Sequence, residues 1–200
     1  MTSAAFAVTY DYRCPFARNA HDHLVTALEA GVDWDVTFLP FSLGQVHVAD
    51  GEPDVWDQPE SDSGLYALQA AVAVQRLFPD QFLTVHRALF EHRHRHGGHL
   101  RAAADIRPVL EAVGLDADAV LAEVDSGRPL AAVKAAHTAY ASSHDVWGVP
   151  TFIVGDHAAF IRFMHRAEGD AEVARTTIER VVDLLGWPEL NEFKHTSVAR

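Results

Sequence analysis

Apolar residues follow two rhythms along this chain. Residues 6–10 (Phe-Ala-Val-Thr-Tyr) form a short, partly β-branched apolar run, which predicts a buried strand. Over residues 16–30 the apolar positions fall three and four apart, at Ala20, Leu24, Ala27 and Leu28, which predicts a helix with one apolar face. Pro15 suits its first position, where a missing N–H costs nothing, and Gly31 stops it. Over 34–41, Trp34, Val36 and Phe38 alternate with polar residues, as in a strand with one buried face. Strand, helix and strand in this order predict a parallel pair joined by a crossover helix.

Residues 64–144 read as a block of helices. Residues 65–74 begin the first and Pro79 ends it. Phe82, Val85, Leu89 and Phe90 stripe the second, which Gly97 and Gly98 terminate. Ile106, Val109, Leu110 and Val113 mark a third, Asp116 caps a short fourth, and Pro129 opens a fifth. The strand signal returns at 151–154 and, after a turn at 155–157, at 159–164, which is a hairpin pattern. Residues 170–185 form a last amphipathic helix, with Val173, Ile178, Val181, Val182 and Leu185 predicted inward. Residues 50–63 are acidic and contain Pro53 and Pro59 but no basic residue, so they read as a solvated linker. The competing reading is a lid with Trp56 as its apolar contact. The sum is an α/β chain: one sheet, half parallel and half antiparallel, with a large all-helical insertion.

Composition narrows the function classes. Apolar residues make up 48% of the 200 positions, enough for a packed core. A formal net charge of -12 argues against nucleic-acid partners and anionic membrane surfaces. The first residues show no basic stretch followed by an apolar run, and no segment approaches the length of a membrane span. The one cysteine excludes an internal disulfide, so the expected location is the cytoplasm, where thiols stay reduced.

That cysteine, Cys14, carries the candidate chemistry. It follows a strand and precedes the proline that opens a helix, so its sulfur lies beside unpaired backbone N–H groups. Those groups and the helix dipole favour thiolate, and Arg13 and Arg18 add nearby positive charge, so the expected pKa is lowered. His21, about 10 Å further along the helix axis, is a poor base for it. A second motif, Gly148-Val149-Pro150-Thr151, precedes the later strand and suits a cis Val149–Pro150 bond.

Together, Asp11-Tyr12-Arg13-Cys14-Pro15-Phe16-Ala17 and Gly148-Val149-Pro150-Thr151-Phe152 resemble the DsbA-like thioredoxin superfamily, over about residues 6–185. That group spans DsbA, kappa-class glutathione transferases, 2-hydroxychromene-2-carboxylate isomerases and mycothiol-dependent reductases. The resemblance implies a thioredoxin fold from 1–50 and 146–200, with 64–145 as an inserted helical domain. It implies Cys14 as the nucleophile, and a thiol-binding surface made of Pro15, Phe16, Arg18, Val149 and Pro150. Dithiol members read Cys-x-x-Cys, whereas this chain has Ala17 at the resolving position, so a monothiol mechanism is expected. The implied activity is that of a thiol-dependent oxidoreductase acting on an electrophilic or disulfide substrate. Its cosubstrate would be a small thiol, mycothiol or glutathione, with no tightly bound cofactor and room for a homodimer. Lysine occurs only at 134 and 194, a bias of GC-rich genomes that favours mycothiol. The alternatives are a transferase or isomerase of the kappa or chromene type, and a non-catalytic binding protein with a vestigial site.

The remaining histidines change little. His92 and His96 share a helix face at ligand spacing, but Arg93 and Arg95 repel a cation, so the 91–99 run reads as a solvated helix end without metal. His137 and His144 read as helix-surface or satisfied core residues.

Overall fold

The computed structural model describes residues 4–193. Strand β1 (Ala4–Tyr10) is central, because its residues 6–10 are apolar enough to be covered on both faces. It pairs in parallel with β2 (Trp34–Pro40) across helix α1 (Pro15–Glu29). On its other side it pairs antiparallel with β3 (Thr151–Val154), which pairs with β4 (His157–Phe160), giving the order β2-β1-β3-β4. A single turn, α2 (Leu43–Val46), follows β2. The predicted helical block comprises α3 (Leu65–Leu77), α4 (Phe82–His94), α5 (Ala103–Ala112), α6 (Ala117–Asp125) and α7 (Arg128–Ser143), and α8 (Ala171–Leu185) closes the fold.

Strand alternation sorts the core into two layers. Phe6, Val8 and Phe152 pack with Ala20 and Leu24 of α1 and Ile178 and Val182 of α8 on one face. Ala7 and Ile153 face the other way, into a larger cluster that takes in α3, α4 and the loops around Cys14. No described helix is long and apolar enough to cross a membrane.

Two sequence expectations need correction and a third is refined. Residues 50–63 are exposed at most positions, as a solvated linker would be, but are anchored at Trp56 and Asp62. Trp56 is buried and meets the His137 ring edge-on, Gln45 bonds both the Asp54 side chain and the Val55 N–H, and Asp62 is buried. The second hairpin strand begins earlier and ends at Phe160. Beyond it, Asn19 donates to the Phe163 carbonyl at 2.8 Å and His23 to the His165 carbonyl at 3.1 Å, so α1 rather than the sheet holds this segment. On α8 the buried residues are Ala174, Ile178 and Val182, four apart, and Val173 lies off that line and is exposed.

A chain of hydrogen bonds ties α1 and α4 to the end of β1. The Thr9 carbonyl can only accept, so His21 Nε2 donates to it at 3.1 Å. His21 Nδ1 then accepts from His86 Nε2 at 2.9 Å, and His86 Nδ1 accepts from the Tyr12 hydroxyl at 2.7 Å. Both imidazoles are buried and neutral. Burial pushes the His21 pKa down to about 4 and holds that of His86 well below the ordinary value, with the neighbouring His21 adding to the effect.

Two predictions follow from this packing. Ile178→Ala removes about 2–5 kcal/mol of stability, whereas Val173→Ala changes it by less than about 0.5 kcal/mol, both read from urea midpoints. The second concerns pH. The unfolded histidines bind protons below about pH 6.5, while folded His21 resists until about 4. Their contribution is therefore complete above about pH 6.5 and is lost as pH falls, at about 1.4 kcal/mol per pH unit for each histidine. Urea midpoints between pH 7.5 and 4.5 should fall on this slope, and His86→Phe should make the slope shallower while lowering stability at every pH.

Candidate active site at Cys14

Cys14 is the N-cap of α1, in extended backbone conformation at φ -86° and ψ 119°. The Asp11–Cys14 turn is closed by the Cys14 N–H donating to the Asp11 carbonyl at 3.0 Å. The sulfur accepts from the Ala17 N–H at 3.4 Å, as an N-cap oxygen would. It also lies 3.3 Å from the Val149 carbonyl, to which the thiol donates. The Val149–Pro150 bond is cis. Cys14, Ala17 and Val149 thus meet across the β1–α1 turn and the loop before β3, as the paired motifs imply.

That loop is fastened to the sheet. Thr9 and Thr151 hydroxyls both donate to the Gly148 carbonyl, at 3.2 and 2.8 Å, and Thr9 Oγ1 accepts from the Thr151 N–H at 2.8 Å. The Ile161 N–H donates to the Pro150 carbonyl at 3.0 Å.

The turn before Cys14 is held by charge. Asp11 is fully buried and accepts from the N–H groups of Arg13 and Leu43, both at 2.9 Å, and from the Arg13 guanidinium. The same guanidinium reaches Asp62 at 2.9 Å. Asp62 in turn accepts from the N–H groups of Gly64 and Leu65, at 2.8 and 2.7 Å, and so ties the turn to the start of α3. Gly64 is required here, because a β-carbon at that position would collide with the Arg13 side chain. From α4, His94 donates to the Tyr12 carbonyl at 2.9 Å.

This arrangement reverses one expectation. Arg13 is spent on Asp11 and Asp62, and Arg18 pairs with Glu91 at 2.6 Å, where Arg166 joins it. Neither charge serves the sulfur. Burial pushes the Cys14 thiol pKa up and outweighs the lowering by the Ala17 and Phe16 N–H groups and by Arg162. Arg162 is the cation sequence reasoning missed. Its guanidinium carbon lies 5.0 Å over the Phe16 ring, brought there by the segment α1 pulls away from the sheet. No local signal ties residue 162 to residue 14. Of the residues implied for thiol binding, Pro15 is exposed at the first helical position and Phe16 is half-buried. The Val149 carbonyl borders the sulfur, Pro150 follows it across the cis bond, and Arg18 is turned to α4. Ala17, at the resolving position, is fully buried. In the histidine run, His92 donates to the His99 carbonyl at 3.0 Å and so closes the end of α4.

No curated protein matches this sequence. Among solved structures, a cytosolic disulfide reductase from Pseudomonas aeruginosa, DsbM with GSH, is similar at 19% identity and TM-score 0.62, covering 90% of this chain and 100% of that one. A putative protein disulfide isomerase from Nitrosomonas europaea is similar at 13% identity and TM-score 0.64, covering 92% and 100%. DsbA of Pseudomonas aeruginosa is similar at 19% identity and TM-score 0.57, covering 90% and 84%. These likenesses show the fold. The sequence profile of the DSBA-like thioredoxin domain matches residues 7–167, which contain both the Cys14 turn and the Val149–Pro150 loop. The chain belongs to the DsbA-like thioredoxin family.

Proposed function

We propose that this protein is a thiol-disulfide oxidoreductase that uses Cys14 as a single nucleophile and a small cytoplasmic thiol, mycothiol or glutathione, as cosubstrate. The observation that carries this reading is the contact set of the sulfur. Cys14 is set between the Ala17 N–H and the Val149 carbonyl, and an alanine stands where a resolving thiol would be. The Cys14 thiolate attacks a disulfide, forms a mixed disulfide and releases one thiolate. A second small thiol then attacks the adduct, leaves as a new disulfide, and returns Cys14 to its reduced form. The electrons come from the small thiol.

The raised pKa supports reduction over oxidation. A strong dithiol oxidant stabilises its own thiolate, which makes its cysteine a fast leaving group. Here burial disfavours the thiolate, so Cys14 leaves slowly and its adducts persist. The similar DsbM structure, named as a cytosolic disulfide reductase with GSH, supports the same direction.

Alkylation of Cys14 by iodoacetamide, followed from pH 6 to 10, should give an apparent pKa above the roughly 8.5 of free cysteine. Arg162→Gln should raise it further and slow alkylation at pH 8. An apparent pKa below about 8.5 would contradict the account of the sulfur given above. The monothiol step is tested by loading Cys14 with a small disulfide and following release. Wild-type adduct should be stable without added thiol and released at a rate proportional to thiol concentration. Ala17→Cys should release the small thiol on its own, by an internal disulfide. Fast unaided release from wild type would mean that another group resolves the adduct.

A further inference from the structure

The C-terminal end of α4 borders a cavity of about 470 Å³, lined by Ser63, Arg93, His99, Leu100, Arg101 and Asp105. Its volume suits a small-molecule ligand. Its charge is opposite to that of the chain, which carries -12 overall. Arg93 donates to the Gly98 carbonyl at 3.3 Å, and neither it nor Arg101 has a carboxylate partner among the described residues. By contrast Arg13, Arg18, Arg87, Arg107, Arg128 and Arg175 are all paired with acids. The single acid in the lining, Asp105, turns its carboxylate to the N–H groups of Arg101 and Ala102, at 2.9 and 3.0 Å, and so caps α5. The wall is fixed in place. His92 holds the His99 carbonyl, and the Leu100 carbonyl accepts from the Ala67 N–H at 3.2 Å.

The cavity also adjoins the reactive turn. Arg13, the residue before Cys14, reaches Ser63 Oγ at the cavity rim at 3.4 Å. His94, one residue beyond Arg93 on α4, holds the carbonyl of Tyr12. Two arginines without acid partners among the described residues, lining a ligand-sized space beside the Cys14 turn, suit an anionic ligand.

We propose that this cavity binds the anionic end of the thiol or disulfide that reacts at Cys14. The proposal rests on the function given above and decides between its two thiols. Glutathione carries two carboxylates and mycothiol none, so the cavity selects a carboxylate-bearing thiol of the glutathione type. The reaction it serves is balanced: Cys14 thiolate and glutathione disulfide give the Cys14–glutathione mixed disulfide and one glutathione thiolate.

The test uses the full chain in two arms. In the first, mixed-disulfide formation is followed by mass spectrometry with glutathione disulfide, which is anionic, and with hydroxyethyl disulfide, which is neutral. Replacing both Arg93→Gln and Arg101→Gln should slow the glutathione reaction about tenfold at low salt, equivalent to about 1.4 kcal/mol. The hydroxyethyl reaction should be unchanged, and the difference should shrink as salt is added. No change with either disulfide, or equal slowing of both, overturns the proposal. In the second arm, Cys14→Ser is titrated with S-methylglutathione, which cannot react, and amide shifts are read by NMR. Shifts at Ser63, His99 and Arg101, lost in the double variant, support the cavity even if no adduct forms in the first arm. That combination would refute the nucleophile reading alone. Adduct formation without shifts at these residues would leave the nucleophile standing and overturn the cavity.

Discussion

The geometry of this protein depends on one sulfur being shared between two loops. Cys14 caps α1 through the Ala17 N–H and at the same time meets the Val149 carbonyl, so the β1–α1 turn and the loop before β3 must converge on the same point. Neither loop could do this alone. The loop before β3 is fixed by Thr9 of the central strand and by Thr151, and the turn is fixed by Asp11, Arg13 and Asp62. The acidic segment 50–63, exposed over most of its length, is anchored at its end because Asp62 is one of these fixtures. The helical block contributes in the same way, through His86 and His94, which hold Tyr12 at its hydroxyl and at its carbonyl.

The electrostatic arrangement follows from that fixing. Cations near Cys14 in sequence are consumed by structural acids, and the one that acts on the sulfur, Arg162, comes from beyond β4. Breaking a buried pair such as Arg13–Asp62 leaves an uncompensated charge, which is costly. The turn is therefore rigid at the expense of thiolate stabilisation. A buried sulfur with weak cationic support is a slow leaving group, and the proposed reduction by an outside thiol relies on that property.

Much of this was legible in the sequence. Periodicity located the sheet strands and the five helices of the insertion, because long periodic segments bound by proline and glycine leave few alternatives. Cys14 and the Val149–Pro150 loop were legible as well, since proline at a helix start and Gly-x-Pro before a strand are local signals. The misses share a cause. The sequence reads β4 as longer because Ile161, Phe163 and Met164 are apolar, yet α1 side chains capture the Phe163 and His165 carbonyls. Apolarity alone puts Val173 inward, because it does not give helix phase, whereas the buried line runs through Ala174, Ile178 and Val182. Arg13 pairs with Asp62, 49 residues away, as well as with neighbouring Asp11, and Arg18 pairs with Glu91, 73 residues away, so proximity to Cys14 in sequence suggests a role that this pairing removes. The Tyr12–His86–His21 chain had no sequence signal, because its three members come from separate elements.

The depth of the sulfur has a consequence for the chain's fate in an oxidising environment. Cys14 is 9% exposed, and the cis loop and the half-buried Phe16 stand beside it. A disulfide requires sulfur atoms about 2.05 Å apart. Two copies of a folded protein, each with its sulfur recessed, collide before they reach that separation, whereas a small thiol with its sulfur at the tip of a thin chain does not. On the proposed function, the recess would therefore act as a size filter, favouring small-thiol caps on Cys14 over covalent dimers on steric grounds.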